Sequence, residues 1–162
     1  MSGLLQFSFA GIRPEYDAYL AELVRTSLAA HHLDIPGTAY FDAALDHLSD
    51  YYKEPGRAYF VLLSEGTPVG GVGLAPFPGF DGCCEMQKLY LDDAVRGQGL
   101  GYTLVEKVEE EARKRGYRNI YLETHTNLAA AIHIYETSGY RRIDPPESVV
   151  HSTMDHFYLK AL

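Results

Sequence analysis

Three glycines at alternate positions, Gly97, Gly99 and Gly101, stand on the threshold of an apolar-periodic stretch that begins at Leu100. Glycine raises the entropy cost of ordering a chain, so a cluster just before a regular element implies that something approaches the backbone closely there. The expected partner is an anion. The first turn of a helix has N–H groups without partners and carries the positive end of the macrodipole, so phosphate binds there readily.

Three phosphate-loop patterns compete for this stretch. A P-loop needs G-x-x-x-x-G-K-[ST], and no Lys-Ser or Lys-Thr follows these glycines, which removes the nucleoside triphosphatase reading. A dinucleotide fingerprint needs G-x-G-x-x-G directly after a strand; here Asp92 to Arg96 intervene, although Glu123 ends the following strand about where a ribose-binding acid would sit. The third pattern, [QR]-x-x-G-x-[GA], is met by Arg96-Gly97-Gln98-Gly99-Leu100-Gly101. Its context supports it: a strand over Glu85–Leu91 precedes, a helix begins inside it, and Asn127 and Tyr135 stand further on.

The elements that must position these residues follow from periodicity. Leu5-Gln6-Phe7-Ser8-Phe9 alternates apolar and polar as a half-buried first strand does. Pro14 opens a helix whose apolar stripe is Tyr16, Leu20, Leu23, Val24 and Leu28, and a loop over 31–40 leads to a second short helix around Phe41, Leu45 and Leu48. Ala58–Ser64 and Thr67–Ala75 read as a hairpin about Glu65-Gly66, and a turn over 76–82 precedes a strand over Cys84–Leu91. The glycine loop then enters a helix with Leu100, Leu104, Val108 and Ala112 inward, closed by Gly116. A strand over Asn119–Glu123, a helix over Asn127–Ser138 ended by Gly139, and two short strands, the last near Phe157–Lys160, complete the chain.

This order, β-α-α-β-β-β-α-β-α-β-β, mixes a helix-linked parallel pair with hairpins. It predicts the α/β (α+β) class, with a mixed central sheet of about seven strands flanked by about four helices. No repeat, low-complexity segment or domain boundary is visible, so residues 1–162 are expected to form one domain.

With EMQKLYLDDAVRGQGLG and LETHTNLAAAIHIYETSGY in place, the chain resembles the GCN5-related N-acetyltransferase (GNAT) superfamily, and most of all its small bacterial acetyltransferases. The resemblance implies a sheet splayed between its fourth and fifth strands. It also implies acetyl-CoA as co-substrate and transfer of the acetyl group to a primary amine by direct attack on the thioester. The donor would be held by Arg96, Gly97, Gln98, Gly99, Leu100, Gly101 and Tyr102 at the pyrophosphate, by the backbone of Leu89, Tyr90 and Leu91 along the pantetheine arm, and by Asn127. Backbone N–H groups suit the pyrophosphate, with Arg96 adding charge or ordering the loop. The Leu89 N–H would stabilise the carbonyl oxygen under attack.

Tyr135 falls where the family carries a tyrosine general acid, although it shares an inner helix face with Leu128 and Ile132 and could serve as core. A phenol is a weaker acid than a thiol, so the expected role is a hydrogen bond to the departing sulfur. Glu85 has the spacing from Arg96 of the family's glutamate base, and period-two alternation puts Glu85, Gln87 and Leu89 on one face, toward the acetyl site. As a free carboxylate it is a poor match for an alkyl ammonium and would need water or a raised pKa. His125 is a second candidate base. Acceptor contacts are expected from Tyr40, Gln87 and His125, with the loop Asp34–Tyr40 as one wall. Asn127 also suits the N-cap of the Tyr135 helix.

Whole-chain properties agree. Fourteen basic against 22 acidic residues give a net charge of −8, which disfavours a nucleic-acid or anionic-membrane partner and suits a small amine. No apolar run is long enough to span a bilayer and no signal-peptide plan opens the chain, so a cytoplasmic protein is expected, with a homodimer left open. Cys83 and Cys84 are adjacent in a strand and read as small buried thiols, not a bridge. The histidines are scattered without an H-E-x-x-H, so no metal is expected. The alternative from another class is a non-catalytic acyl-CoA-binding sensor.

Overall fold

The computed structural model describes residues 6–149 and 151–162. Among them run strands β1 (Phe7–Gly11), β2 (Ala58–Ser64), β3 (Thr67–Pro76), β4 (Cys83–Leu91), β5 (Asn119–Thr124), β6 (Arg141–Ile143) and β7 (His156–Ala161). The helices are α1 (Asp17–Ala30), α2 (Leu48–Tyr51), α3 (Leu100–Lys114) and α4 (Ala129–Thr137). The strands form one sheet in the order β1-β2-β3-β4-β5-β7-β6. The first four form an antiparallel meander, β4 and β5 are parallel, and β7 lies antiparallel to both β5 and β6. Parallel neighbours cannot be joined by a tight turn, and α3 supplies the crossover.

The predicted apolar stripes are the buried ones. Leu20, Val24 and Leu28 of α1 are buried on one face of the sheet with Tyr16, Tyr52 and Tyr59, and Leu23 is buried too, while Leu100, Leu104, Val108 and Ala112 of α3 are buried on the other with Cys84, Met86, Ile120 and Tyr135. Cys83 packs in a third cluster with Phe77 and Tyr121. The two thiols therefore point to opposite faces, and burial pushes them up to about 11 and about 12.

The pairing of β4 and β5 is brief. It covers Cys83↔Asn119, Cys84↔Ile120 and Glu85↔Tyr121, after which the strands part, leaving Met86–Leu91 joined only to β3. The same part of β4 carries a bulge: Gly71 pairs with Tyr90 and Gly73 with Gln87, so Lys88 and Leu89 together oppose Val72. Lys88 takes a left-handed φ of 48° to accommodate the extra residue, and such an insertion bends and twists its strand.

Several expectations need correction. A bulge moves every later side chain to the other face; Leu89 and Leu91 therefore pack on the α3 side with Met86, and Leu89 does not share a face with Glu85 and Gln87. The first strand is set two residues later than expected by its pairing with Phe60–Ser64, and Leu5 lies outside the described residues. The expected helix around Phe41, Leu45 and Leu48 is two 3-10 turns, Ala39–Phe41 and Leu45–His47, before the single turn of α2. Asp42 breaks it: its backbone is extended and its carboxylate is drawn to Lys88 and His151. α4 begins at Ala129, and Asn127 does not cap it, because its amide donates to the His31 carbonyl at 2.9 Å.

One buried ion pair ties α3 to β7. Glu109, 6% exposed, accepts from Lys160 Nζ at 3.0 Å on each carboxylate oxygen and from the Tyr140 hydroxyl at 3.1 Å. Lys160→Met leaves that carboxylate with the Tyr140 hydroxyl and no cation nearer than Arg113 at 4.0 Å, and is expected to lower the unfolding free energy by about 3 kcal/mol in urea titrations at neutral pH. A loss under about 0.5 kcal/mol would place the pair among inert surface contacts.

Candidate active site

A cavity of about 680 Å³ opens where β4 and β5 part. Its wall runs from Arg96, Gly97 and Gly99–Tyr102, along Leu89–Leu91, past Ile134 and Tyr135 of α4, to Glu85, Gln87, Glu123 and His151. It joins a main-chain cradle at one end to a cluster of ionisable groups at the other.

The cradle follows from the glycines. Gly97 and Gly99 have φ of 80° and 74°, a region that L side chains rarely adopt, and a Cβ at either would meet no atom within 4 Å. Backbone shape and not crowding demands glycine there, and the loop surface stays open. At Gly101 the demand is packing, since a Cβ would lie 2.4 Å from the Ile134 side chain of α4. Gly99 occupies the N-cap of α3 with no side-chain cap, and no acidic residue stands in the first turn. The early N–H groups of α3 are thus free to meet an anion. Arg96 is bound to Asp93 at 2.7 Å, which orders the turn before the glycines, and the Tyr102 hydroxyl meets Thr137 Oγ1 at 2.7 Å, tying α3 to α4. Gln98 is exposed and off the cavity wall.

At the other end, Glu85 faces the cavity from the last paired position of β4. Burial raises its pKa to about 7; a hydrogen bond from Gln87 Nε2 at 2.8 Å works against the rise and the nearby charge of Glu123 adds to it. Beside it lies a chain of opposite charges. Lys88 Nζ donates to Asp42 at 2.8 Å, and His151 sits between Asp42, 2.9 Å from Nε2, and Glu123, 3.3 Å from Nδ1. The hydrogen bonds to Asp42 and Glu123 hold His151 protonated, with a pKa of about 9. Burial alone would raise Asp42, but His151 and Lys88 hold it below the usual carboxylate range. Glu123 also accepts from the Tyr121 hydroxyl at 2.9 Å, so it is committed to this network and not to a ribose.

Tyr135 is buried on α4 and lines the cavity, and its hydroxyl makes no hydrogen bond among the described residues. No fully buried side-chain polar atom among them lacks a partner, so the Tyr135 oxygen is not wholly enclosed. Burial pushes its phenol well above the ordinary tyrosine range.

Of the expected acceptor contacts, Gln87 lies on the wall, which elsewhere passes through Ala39 and Asp42 where Tyr40 was expected and through Thr124 where His125 was. Tyr40 packs on Phe41; His125 accepts from the Asn127 N–H at 3.0 Å and faces Asp155. Asn127 is also off the wall. His151 and Asp42 escaped sequence reasoning, being isolated residues 109 positions apart with no motif between them. Among the described residues no group of three or more His, Cys, Asp or Glu is placed to hold a metal.

Comparison with known proteins agrees with this geometry. Residues 21–140 match the acetyltransferase (GNAT) family. The uncharacterized N-acetyltransferase YjgM of Escherichia coli K12 is 40% identical over 127 residues, 77% of this chain and 76% of that one. Among solved structures, a GNAT-family acetyltransferase of Staphylococcus aureus Mu50 superposes with a TM-score of 0.82 at 19% identity, covering 97% of this chain and 99% of that one. The structure of yncA from Salmonella typhimurium with acetyl-CoA gives 0.75 at 20% identity, covering 97% and 94%. The chain belongs to the acetyltransferase (GNAT) family of acyltransferases.

Proposed function

We propose that residues 1–162 act as one N-acetyltransferase domain, moving the acetyl group of acetyl-CoA to a primary amine of a small acceptor by direct attack. The observation that carries this reading is the uncapped, side-chain-free cradle of Gly97 and Gly99 opening onto the gap between β4 and β5. When bound there, acetyl-CoA supplies an activated acyl thioester. The cradle fits its diphosphate, since main-chain N–H groups of Gly97–Tyr102 have neither a capping side chain nor an acidic neighbour in the first turn. Arg96, ordered by Asp93, sets the loop's entrance. The β4 edge over Leu89–Leu91, unpaired toward β5, offers amide and carbonyl groups to an extended amide-rich arm, with the Leu89 N–H as donor to the thioester carbonyl.

Glu85 takes the proton that an amine must lose before it can attack. Its raised pKa of about 7 narrows the mismatch with an alkyl ammonium, each unit being worth about 1.4 kcal/mol. Tyr135 donates a hydrogen bond to the departing sulfur. Its buried phenol is too weak an acid for full transfer to be favourable, so orientation and charge stabilisation are what it contributes. No helix among the described residues is long and apolar enough to cross a membrane, and a cytoplasmic setting suits a small-molecule enzyme.

Three measurements test the reading. Gly99→Val imposes a φ of 74° on a β-branched residue; a left-handed L-residue costs about 1–2 kcal/mol, so the loop shifts and CoA affinity is expected to fall about tenfold or more. Unchanged affinity by calorimetry refutes the cradle. With acetyl-CoA and a panel of primary amines, thiol release should depend on the amine and rise with pH through about 7, the pKa of Glu85. Glu85→Gln is expected to remove that inflection and most of the rate, whereas CoA binding without thiol release from any amine contradicts transferase chemistry. Tyr135→Phe deletes an oxygen that holds nothing in the fold, so turnover is expected to fall by roughly 10²-fold with CoA affinity unchanged; turnover at the wild-type level would leave Tyr135 as core alone.

A further inference from the structure

Two buried tyrosines reach the reactive stretch of β4 from the same side. Tyr52, one residue past α2 and 4% exposed, donates its hydroxyl to Gln87 Oε1 at 2.8 Å. Gln87 Nε2 in turn donates to Glu85 Oε1 at 2.8 Å. Tyr59 of β2, 1% exposed, donates to the carbonyl of Lys88 at 2.8 Å. Room for both rings comes from β3: a Cβ at Gly73 would lie 2.6 Å from the Tyr52 oxygen, and one at Gly71 would lie 2.4 Å from the Tyr59 ring. The rings also pack on each other, with centroids 5.1 Å apart.

We infer that Tyr52 is a positioning residue for the transfer reaction: through Gln87 it fixes which way the Glu85 carboxylate points and which end of the Gln87 amide that carboxylate meets. A glutamine amide can present either its donor or its acceptor end. The Tyr52 side chain is buried, and burial pushes its hydroxyl well above the ordinary phenol range, so it remains a donor. A donor at that place claims the Gln87 oxygen and turns the NH₂ toward Glu85. Without it the amide is free to flip, and an oxygen facing an ionised carboxylate would repel it. The relay engages one acceptor site and one N–H of Gln87, and leaves its second N–H for an acceptor in the cavity.

Other charges act on Glu85 from the neighbouring elements. Glu123 and Tyr121 face it from β5, His151 from the segment before β7, Lys88 from its own strand, and Asp42 lies beyond Lys88 and His151. None of these touches the Tyr52 hydroxyl, whose hydrogen bond goes to Gln87. Tyr52→Phe therefore leaves these charges in place and acts on Glu85 through Gln87.

The inference rests on the reading of Glu85 as proton acceptor, and its test is chosen so that the two can fail separately. NMR titration of the ¹³C-labelled Glu85 carboxyl in the intact chain reports its proton affinity without turnover. Tyr52→Phe is expected to raise the midpoint above its wild-type value of about 7 by about half a pH unit or more, and to lower kcat roughly tenfold with KM for acetyl-CoA unchanged. Gln87→Met, which deletes the middle of the relay, is expected to raise the midpoint as well. In that background the effect of Tyr52→Phe should vanish, as coupling through one shared side chain requires. A Glu85 midpoint unmoved by Tyr52→Phe, or a Tyr52→Phe effect that persists in full beside Gln87→Met, overturns the relay. Full turnover in Glu85→Gln would instead overturn the proton-acceptor reading, while the carboxyl titration still decides the relay.

Discussion

The pairing of β4 with β5 stops at Glu85, and the cavity beside β4 depends on where it stops. A parallel pair that continued would satisfy its own backbone groups and close the sheet. Because the strands part, the β4 edge over Met86–Leu91 faces a cavity with main-chain donors and acceptors that no strand satisfies. The bulge at Lys88 belongs to the same event: an extra residue bends β4 and sends Leu89 to the α3 face, while Tyr59 secures the Lys88 carbonyl. The glycines of β3 make this possible, since side chains at positions 71 and 73 would occupy the space of the two tyrosine rings.

Charge is sorted along the cavity with equal consequence. The cradle end has open N–H groups, and Arg96 there is engaged by Asp93. At the far end, Lys88 and protonated His151 are absorbed by Asp42 and Glu123, and Glu85 has no ion-pair partner among the described residues. An acid in that position is held back from ionising by burial and becomes able to exchange a proton near neutral pH. The charge of His151 acts on Glu85 directly, lowering its pKa against the rise that burial and Glu123 produce.

Much of this was legible in the residues, for identifiable reasons. The alternate glycines before Leu100 announced an open loop on a helix start, and the stripes of α1 and α3 fixed which faces are buried. The end of β4 could not be read so well. Lys88 is not a residue type that marks a left-handed φ, so nothing warned of the bulge, and period-two reasoning carried Leu89 to the wrong face. The partnership of His151 with Asp42 spans 109 positions and arises only from tertiary folding. Asp42 broke the expected helix because its carboxylate meets Lys88 and His151, an interaction that local propensity does not contain. Asn127 suited a cap by type, yet the nearer acceptor in space was the His31 carbonyl.

The claim that the parted strands and the open amides of 97–102 form one continuous site is tested most directly by a crystal structure of the chain with CoA. The account predicts the diphosphate within hydrogen-bond reach of the main-chain N–H groups of Gly97–Tyr102, with the pantetheine arm lying between β4 and β5 against Leu89–Leu91. A diphosphate bound elsewhere, or strands that close on each other when CoA is present, would contradict it.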